Sequence, residues 1–98
     1  MRMMLKVTVP TEEGNRAITD GTLREVLKAT MTKLNPEAAY FVTNEGLRSA
    51  ILFFELHHVS DIPSIAEPLF SKLGAKLELA PAMNVEDLEK GLGALGGT

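Results

Sequence analysis

The sequence predicts an α+β fold in which two helices cover one face of a four-stranded antiparallel sheet and a further helix follows at the C-terminus. Short segments place an apolar residue at every second position, which is the period of a strand. Longer segments repeat apolar residues at the spacing of one helix face. A chain of 98 residues accommodates one domain. We therefore expect residues 1–98 to form a single unit whose glycine-rich end, about residues 93–98, is flexible.

The first strand and the first helix differ in the period of their apolar residues. Alternation over Met3–Val9 predicts a strand with one fully apolar face. Thr11, followed by two glutamates, predicts a helix N-cap, and an apolar stripe continues to Leu34 before an Asn-Pro pair ends the helix. Because Gly14 and Gly21 lower the helix propensity of its first half, we expect this helix to begin late or to fray.

A β-hairpin is predicted after the first helix. Ala38–Thr43 has the pattern of a second strand, and Arg48–His57 has that of a third. The segment Asn44-Glu45-Gly46 between them is typical of a type I turn with glycine in a left-handed bulge position. The dense apolar run of the third strand favours a central place in the sheet.

The second long helix is predicted to begin at Ser60 or Asp61, either of which can act as its N-cap. Its apolar repeat continues to Gly74, which can end a helix in the left-handed conformation. Pro68 lies inside this repeat, so we expect a kink near Ser64, whose backbone carbonyl loses its helical donor.

The chain ends in a short strand and a third amphipathic helix. Lys76–Ala80 alternates as a strand, and Asn84 is predicted to cap the helix. The apolar stripe of this helix is Val85, Leu88, Leu92 and Leu95. Because a helix this short is unstable alone in water, we expect the stripe to dock on the body of a dimer. Packing on its own subunit, on the partner subunit, or under its own sheet all remain open from the sequence.

The predicted order β-α-β-β-α-β, followed by a helix, is that of a ferredoxin-like fold. Right-handed crossovers place both long helices on one face of the sheet and strands one and three in its centre. The other face is left open and carries the second set of side chains. These are Met4, Lys6, Thr8, Ile51, Phe53, Glu55, His57 and Glu78. Strand two adds either Tyr40 or Phe41, and its pattern leaves both choices open.

Composition and charge argue against several classes of function. A net charge of −3 with scattered basic residues does not fit a protein whose main partner is nucleic acid. The absence of cysteine excludes disulfides and thiolate sites. The longest apolar runs, Ala38–Val42 and Ala50–Phe54, are too short to cross a bilayer, so we expect a cytoplasmic protein without membrane contact. Gly91–Gly96 spells G-x-G-x-x-G at the end of a helix, which is the wrong context for nucleotide binding.

The candidate catalytic and ligand-binding residues are predicted to lie on the open face. His57 has the same parity as Glu55, and a neutral imidazole beside a carboxylate can act as a general base; the alternative is a hydrogen bond at an interface. Lys6 lies between the strands that carry Glu55 and Glu78, which predicts either an ion pair or the polar floor of a pocket. The candidate catalytic residues are His57, Glu55 and Lys6, and the candidate pocket residues are Met4, Thr8, Ile51, Phe53 and Glu78.

Neither a metal site nor a cofactor is predicted. His57 and His58 are the two histidines of the chain, and adjacent residues of a strand point to opposite faces. Their rings therefore cannot both ligate one ion from a regular strand.

With this strand order, the extra C-terminal helix and the turn segments Pro10–Gly14 and Ser60–Pro63, the chain resembles small bacterial proteins of the dimeric α/β-barrel superfamily. The resemblance spans nearly the whole length. Members pair their sheets face to face, which implies a homodimer with a ligand cavity under each sheet. The superfamily includes cofactor-independent monooxygenases, haem-degrading enzymes and small isomerases, and no residue set of this chain matches the motif of any one of them.

We therefore expect a homodimer that pairs through its open faces and either binds a small organic molecule or has a structural role. The alternative is a cofactor-independent enzyme, similar to a monooxygenase or an isomerase, that acts on an organic metabolite in the sheet cavity. In that case His57 would be the base, and Lys6 or Glu55 would orient the substrate.

Overall fold

The computed structural model describes residues 1–96, in which four strands and four α-helices follow one another. They are β1 (Arg2–Val9), α1 (Thr11–Thr19), α2 (Thr22–Leu34), β2 (Ala38–Asn44), β3 (Leu47–Glu55), α3 (Ile62–Leu73), β4 (Lys76–Pro81) and α4 (Val85–Gly96), with a 3₁₀ turn at Val59–Asp61. Residues 93–96, expected to belong to a flexible tail, are helical. The rest of that tail, residues 97–98, lies outside the described residues.

The four strands form one antiparallel sheet in the order β2-β3-β1-β4, as predicted. Leu5 on β1 lies opposite Leu52 on β3 and Leu79 on β4. The core joins this side of the sheet to buried residues of the helices, namely Met3, Leu5, Val7, Val9, Leu52, Phe54, Ala17, Val26, Leu34, Ile65, Leu69 and Leu73. The fold is ferredoxin-like with an added C-terminal helix, which confirms the prediction of fold class.

The predicted first helix is two helices, α1 and α2, which meet at Gly21. Gly21 has φ 82°, and this left-handed backbone breaks the helix. Asp20 Oδ1 then accepts a hydrogen bond of 2.9 Å from the backbone N–H of Thr22, the first residue of α2. The N-cap position of α1 is Pro10, and Thr11 is the first residue of the helix, so the predicted role of Thr11 as N-cap is wrong.

Tertiary contacts hold α1 in place despite its glycine. Gly14 is buried, and a Cβ atom there would collide with the guanidinium of Arg48. Ala17 on the same side of α1 is fully buried in the core. The expected late start does not occur, because burial of this face offsets the low helix propensity of glycine.

The hairpin between β2 and β3 has a two-residue loop. Asn44 pairs with Leu47, and both intervening residues, Glu45 at φ 53° and Gly46 at φ 79°, have positive φ. This is the pattern of a type I′ turn, whose twist matches that of the flanking strands. The predicted type I turn with a glycine bulge is therefore wrong.

Helix α3 contains an internal proline, and a side chain of α2 replaces the hydrogen bond that is lost there. The backbone carbonyl of Ser64, which cannot receive a helical hydrogen bond from Pro68, accepts one of 3.2 Å from Lys33 Nζ. The chain enters α3 through the 3₁₀ turn, and neither Ser60 nor Asp61 caps the helix with its side chain.

Helix α4 extends away from the rest of the domain, and the described chain measures 58 × 29 × 18 Å overall. Asn84 caps it as predicted, because Asn84 Oδ1 accepts from the backbone N–H of Asp87 at 2.8 Å while Asp87 Oδ2 accepts from the backbone N–H of Asn84. Arg2 also contacts Asp87 at 3.2 Å. No residue of α4, from Val85 to Gly96, is buried, so α4 does not fold under its own sheet.

Candidate functional site

The face of the sheet opposite the helices, called the open face below, is defined by the strand register. Met4, Lys6 and Thr8 of β1 lie between partners on both neighbouring strands. The other members are Ala38, Tyr40 and Val42 on β2, Ser49, Ile51, Phe53 and Glu55 on β3, and Lys76, Glu78 and Ala80 on β4. All candidate pocket residues predicted from the sequence share this face.

Tyr40 is the aromatic residue that β2 contributes to the open face. It lies opposite Ile51, whereas Phe41 lies opposite Ala50 and therefore faces the helix side. Both rings are largely exposed, at 63% for Tyr40 and 58% for Phe41.

Lys6 forms the polar centre of the open face. Its Nζ donates a hydrogen bond of 3.0 Å to Asn44 Oδ1 on β2 and lies 3.7 Å from Glu78 Oε2 on β4. The Lys6 side chain is 23% exposed, so the ammonium group reaches partners on both edge strands from a partly buried position. The predicted pairing of Lys6 with Glu78 is present. Asn44 was not anticipated, because a hairpin-end residue carries no sequence signal for this contact.

Two hydroxyl groups extend this polar centre towards the hairpin end of the sheet. Ser49 Oγ donates to Thr8 Oγ1 at 3.3 Å, and both residues are buried. At the other end the face is apolar, with Phe53 opposite Met4 and Ala38. Met4, Ile51 and Phe53 are partly exposed. The open face therefore combines an apolar half with a polar half around Lys6.

Glu55 lies at the edge of the open face, away from Lys6. It is opposite Arg2, at the beginning of β1, and its carboxylate contacts the α-amino group of Met1. The hydrogen bond from that ammonium group lowers the pKa of Glu55, and the positive charges of the ammonium group, His57 and Arg2 add to the effect. Glu55 is therefore paired with the amino terminus, whereas Lys6 is paired with Glu78.

His57 does not belong to the sheet. β3 was expected to continue to His57 but ends at Glu55, so strand alternation does not set the direction of this side chain. His57 lines a cavity of about 390 Å³ between the ends of α2, β3 and α3, which Lys33, Asn35 and Asp61 also line. Within residues 1–96, no group of three or more His, Asp or Glu residues could hold a metal ion.

A larger cavity lies on the helix side of the sheet, where α2 faces the β2–β3 hairpin. This cleft, called the α2–β2 cleft below, has a volume of about 460 Å³ and is almost wholly apolar. Its walls include Leu23, Leu27, Thr30, Phe41, Ala50 and Leu69. Sequence reasoning missed it, because each of these residues fits the pattern of an ordinary core position.

Comparisons with known proteins do not assign this chain to a family. No protein-family model matches the sequence, and no curated protein matches it either. One solved structure to which the chain is similar is the de novo designed protein Ferredog-Diesel, with 15% sequence identity, a TM-score of 0.48 and coverage of 82% of this chain and 84% of that chain. The fold class rests on the strand order and helix placement described above.

No helix within residues 1–96 is both long enough and apolar enough to cross a membrane.

Proposed function

We propose that this chain is a homodimeric domain that pairs through the open face and binds a small amphipathic organic molecule between the two sheets. The observation that carries the proposal is the partly buried Lys6 ammonium group in the middle of a face whose other half is apolar. A few polar groups set in apolar walls are typical of small-molecule sites.

The uncovered open face supports the pairing of sheets. The helices occupy the other side of the sheet, and α4 does not cover the open face. Met4, Ile51 and Phe53 therefore stay in contact with water in a single chain, beside the exposed ring of Tyr40. Apolar patches of a few hundred Å² usually mark interfaces, and a two-fold axis covers the same patch on both copies at once.

The chemistry of the face indicates the class of ligand. Lys6 has three N–H donors; one donates to Asn44, and Glu78 lies at ion-pair distance, 3.7 Å from Nζ. A donor of Lys6 can therefore bind an acceptor such as a carboxylate or carbonyl oxygen of a ligand. The body of that ligand would lie against Ile51 and Phe53, so we propose an apolar organic molecule that carries one acceptor group.

The alternative of a cofactor-independent enzyme receives no support from the geometry. His57 is exposed and lies beyond β3, while Glu55 is paired with the amino terminus. The proposed base is therefore not beside Lys6, and we do not assign a reaction to the face.

Mass spectrometry of the intact protein under native conditions tests both parts of the proposal. We expect the mass of two 10.6 kDa chains together with the excess mass of a co-purified small molecule. Lys6→Met should keep the dimer and lose the excess mass. Lys72→Met, which removes an exposed lysine on α3 far from the open face, should keep both.

Two results would contradict the proposal. A 10.6 kDa monomer at micromolar concentration would exclude the dimer. A dimer without bound mass, whose melting temperature does not respond to a panel of aromatic and aliphatic carboxylic acids, would exclude the ligand.

A further inference from the structure

We propose that α4 of one copy packs into the α2–β2 cleft of a second copy and stabilises the homodimer. This reciprocal helix contact is called the clasp below. This inference rests on the proposed function, because it takes the pairing of open faces as its starting point. Two apolar surfaces of the chain, on α4 and in the α2–β2 cleft, are not covered by other residues within residues 1–96. One contact between copies would cover both.

The first feature is the apolar stripe of α4. Its members are between 45% and 81% exposed: Val85, Leu88, Leu92 and Leu95. An isolated helix of twelve residues is marginal in water, and its stability in a protein comes from packing an amphipathic face. The regular spacing of the stripe is therefore best explained by a surface that covers it.

The second feature is the α2–β2 cleft, which opens along the edge formed by β2. Phe41 in its wall is 58% exposed. The α4 helix of the same chain cannot fill the cleft, because it follows β4 at the opposite edge of the sheet. An α4 helix that fills this cleft must therefore come from a second copy.

We take the two-fold axis of the sheet pair to run parallel to the strands, midway between the facing sheets, which reverses the strand order. β4 of one copy then lies opposite β2 of the other, and the same end of each sheet lies on the same side of the dimer. Because β4 ends where β2 begins, the first residues of α4 lie near the beginning of the partner's β2. Twelve helical residues span about 18 Å, which matches the distance of about 17 Å from Ala38 to Thr43 along β2.

The charges of the two surfaces are complementary. α4 carries three acidic residues and one lysine, whereas α2 carries three basic residues and one glutamate. Arg24 lies one helical turn before Leu27, which lines the cleft, and Lys28 directly follows Leu27. Arg24 and Lys28 are exposed and form a basic rim for the acidic helix.

The area of the interface also favours the clasp. A face of four strands, eight residues long, covers about 500 Å² in projection, while a stable interface buries about 800 Å² on each partner. Each copy gives one helix and receives one, and a strip of about 18 by 10 Å counted twice adds about 360 Å². The sheet face alone is smaller than a stable interface requires, whereas the sheet face and the two helix contacts together reach about 800 Å².

Disulfide crosslinking in the full chain tests the inference directly, because the natural sequence contains no cysteine. Leu92→Cys and Phe41→Cys chains are mixed, unfolded and refolded together, and then oxidised. We expect a covalent dimer of the two different chains. Leu92→Cys mixed with Phe70→Cys, an exposed position on α3 outside the cleft, should yield at least tenfold less.

Charge reversal gives a second, independent measurement. Arg24→Glu together with Lys28→Glu should weaken the dimer about tenfold in sedimentation equilibrium. Adding Glu86→Lys and Glu89→Lys to the same chain should restore it. An unchanged dissociation constant in the first variant, or no restoration in the second, would overturn the contact.

The outcomes separate this inference from the proposed function. A monomeric wild-type protein would defeat both. A wild-type dimer without the Leu92–Phe41 crosslink would overturn the clasp and leave the pairing of sheets intact. If that dimer also binds 1-anilinonaphthalene-8-sulfonate and Phe41→Asp abolishes the binding, the cleft takes a small apolar molecule instead of α4.

Discussion

Phe53→Asp is the most direct perturbation of the proposed sheet pairing. Phe53 lies on β3, in the apolar half of the open face, between Met4 on β1 and Ala38 on β2. The ring is partly exposed in the single chain. A carboxylate there stays in contact with water in a monomer, so the fold should survive, whereas in a sheet pair it would be forced into the seam.

The magnitude follows from two contributions. Covering about 50 Å² of the remaining ring surface is worth about 1 kcal/mol. An unpaired carboxylate at a buried interface costs about 3 kcal/mol more. Two-fold symmetry applies the sum of about 4 kcal/mol twice, and at 1.4 kcal/mol per factor of ten the dissociation constant should rise by more than about 10⁵.

Sedimentation velocity over a range of concentrations measures this change. We expect wild type to sediment as a dimer and Phe53→Asp as a folded monomer whose far-ultraviolet circular dichroism is unchanged. Val59→Asp introduces the same charge at an exposed apolar residue of the 3₁₀ turn, away from the open face, and should remain a dimer. Phe53→Thr serves as a milder variant that keeps a strand-forming residue. Dimers of unaltered affinity in both Phe53 variants would refute the pairing of open faces.

Three further predictions concern the fold. Lys33→Met should lower the free energy of unfolding by about 0.5–1 kcal/mol, because the carbonyl of Ser64 loses its donor; chemical denaturation measures this, and an equal loss in Lys33→Arg would contradict the reason. Gly21→Ala should cost about 1–2 kcal/mol in the same assay, because φ 82° is a strained backbone for a residue with a Cβ atom, and Gly21→Asn should lose less. Hydrogen bonds from the Thr22 hydroxyl and backbone N–H lower the pKa of Asp20, so its contribution to stability is present above the pKa of an unfolded aspartate and is lost as the pH falls through the lowered pKa. The difference in stability between wild type and Asp20→Asn should therefore shrink on acidification below about pH 4, and a difference that does not change with pH would show that the charge of Asp20 has no part in it.

Local periodicity was sufficient to predict the four strands and the order of strands and helices, although it predicted α1 and α2 as one helix. Alternation in β1 and the helical repeats of α2 and α3 depend on near neighbours in the chain, and a right-handed crossover leaves one sensible order of strands. The assignment of Met4, Lys6 and Thr8 to one face followed from the period of two. The pairing of Lys6 with Glu78 could be anticipated because the predicted order placed their strands side by side.

Two of the predictions that failed extended a local pattern past the point where the structure interrupts it. The segment from Thr11 to Leu34 has one continuous apolar stripe, but Gly21 can adopt the left-handed backbone and Asp20 can accept the first backbone N–H of a new helix, so the helix is interrupted there. His57 has the parity of the open face, but parity has no meaning once β3 has ended at Glu55.

By itself, then, the sequence determined the kinds of element, their order and the two faces of each central strand, because these depend on contacts between near neighbours. Only the tertiary structure decided that Tyr40 belongs to the open face. β2 is apolar at both parities, so its direction depends on the hairpin loop, and one more residue in that loop would have turned Phe41 outward instead. The Lys6–Asn44 contact, the α2–β2 cleft and the uncovered stripe of α4 likewise depend on how distant segments meet, and no local period in the chain records those distances.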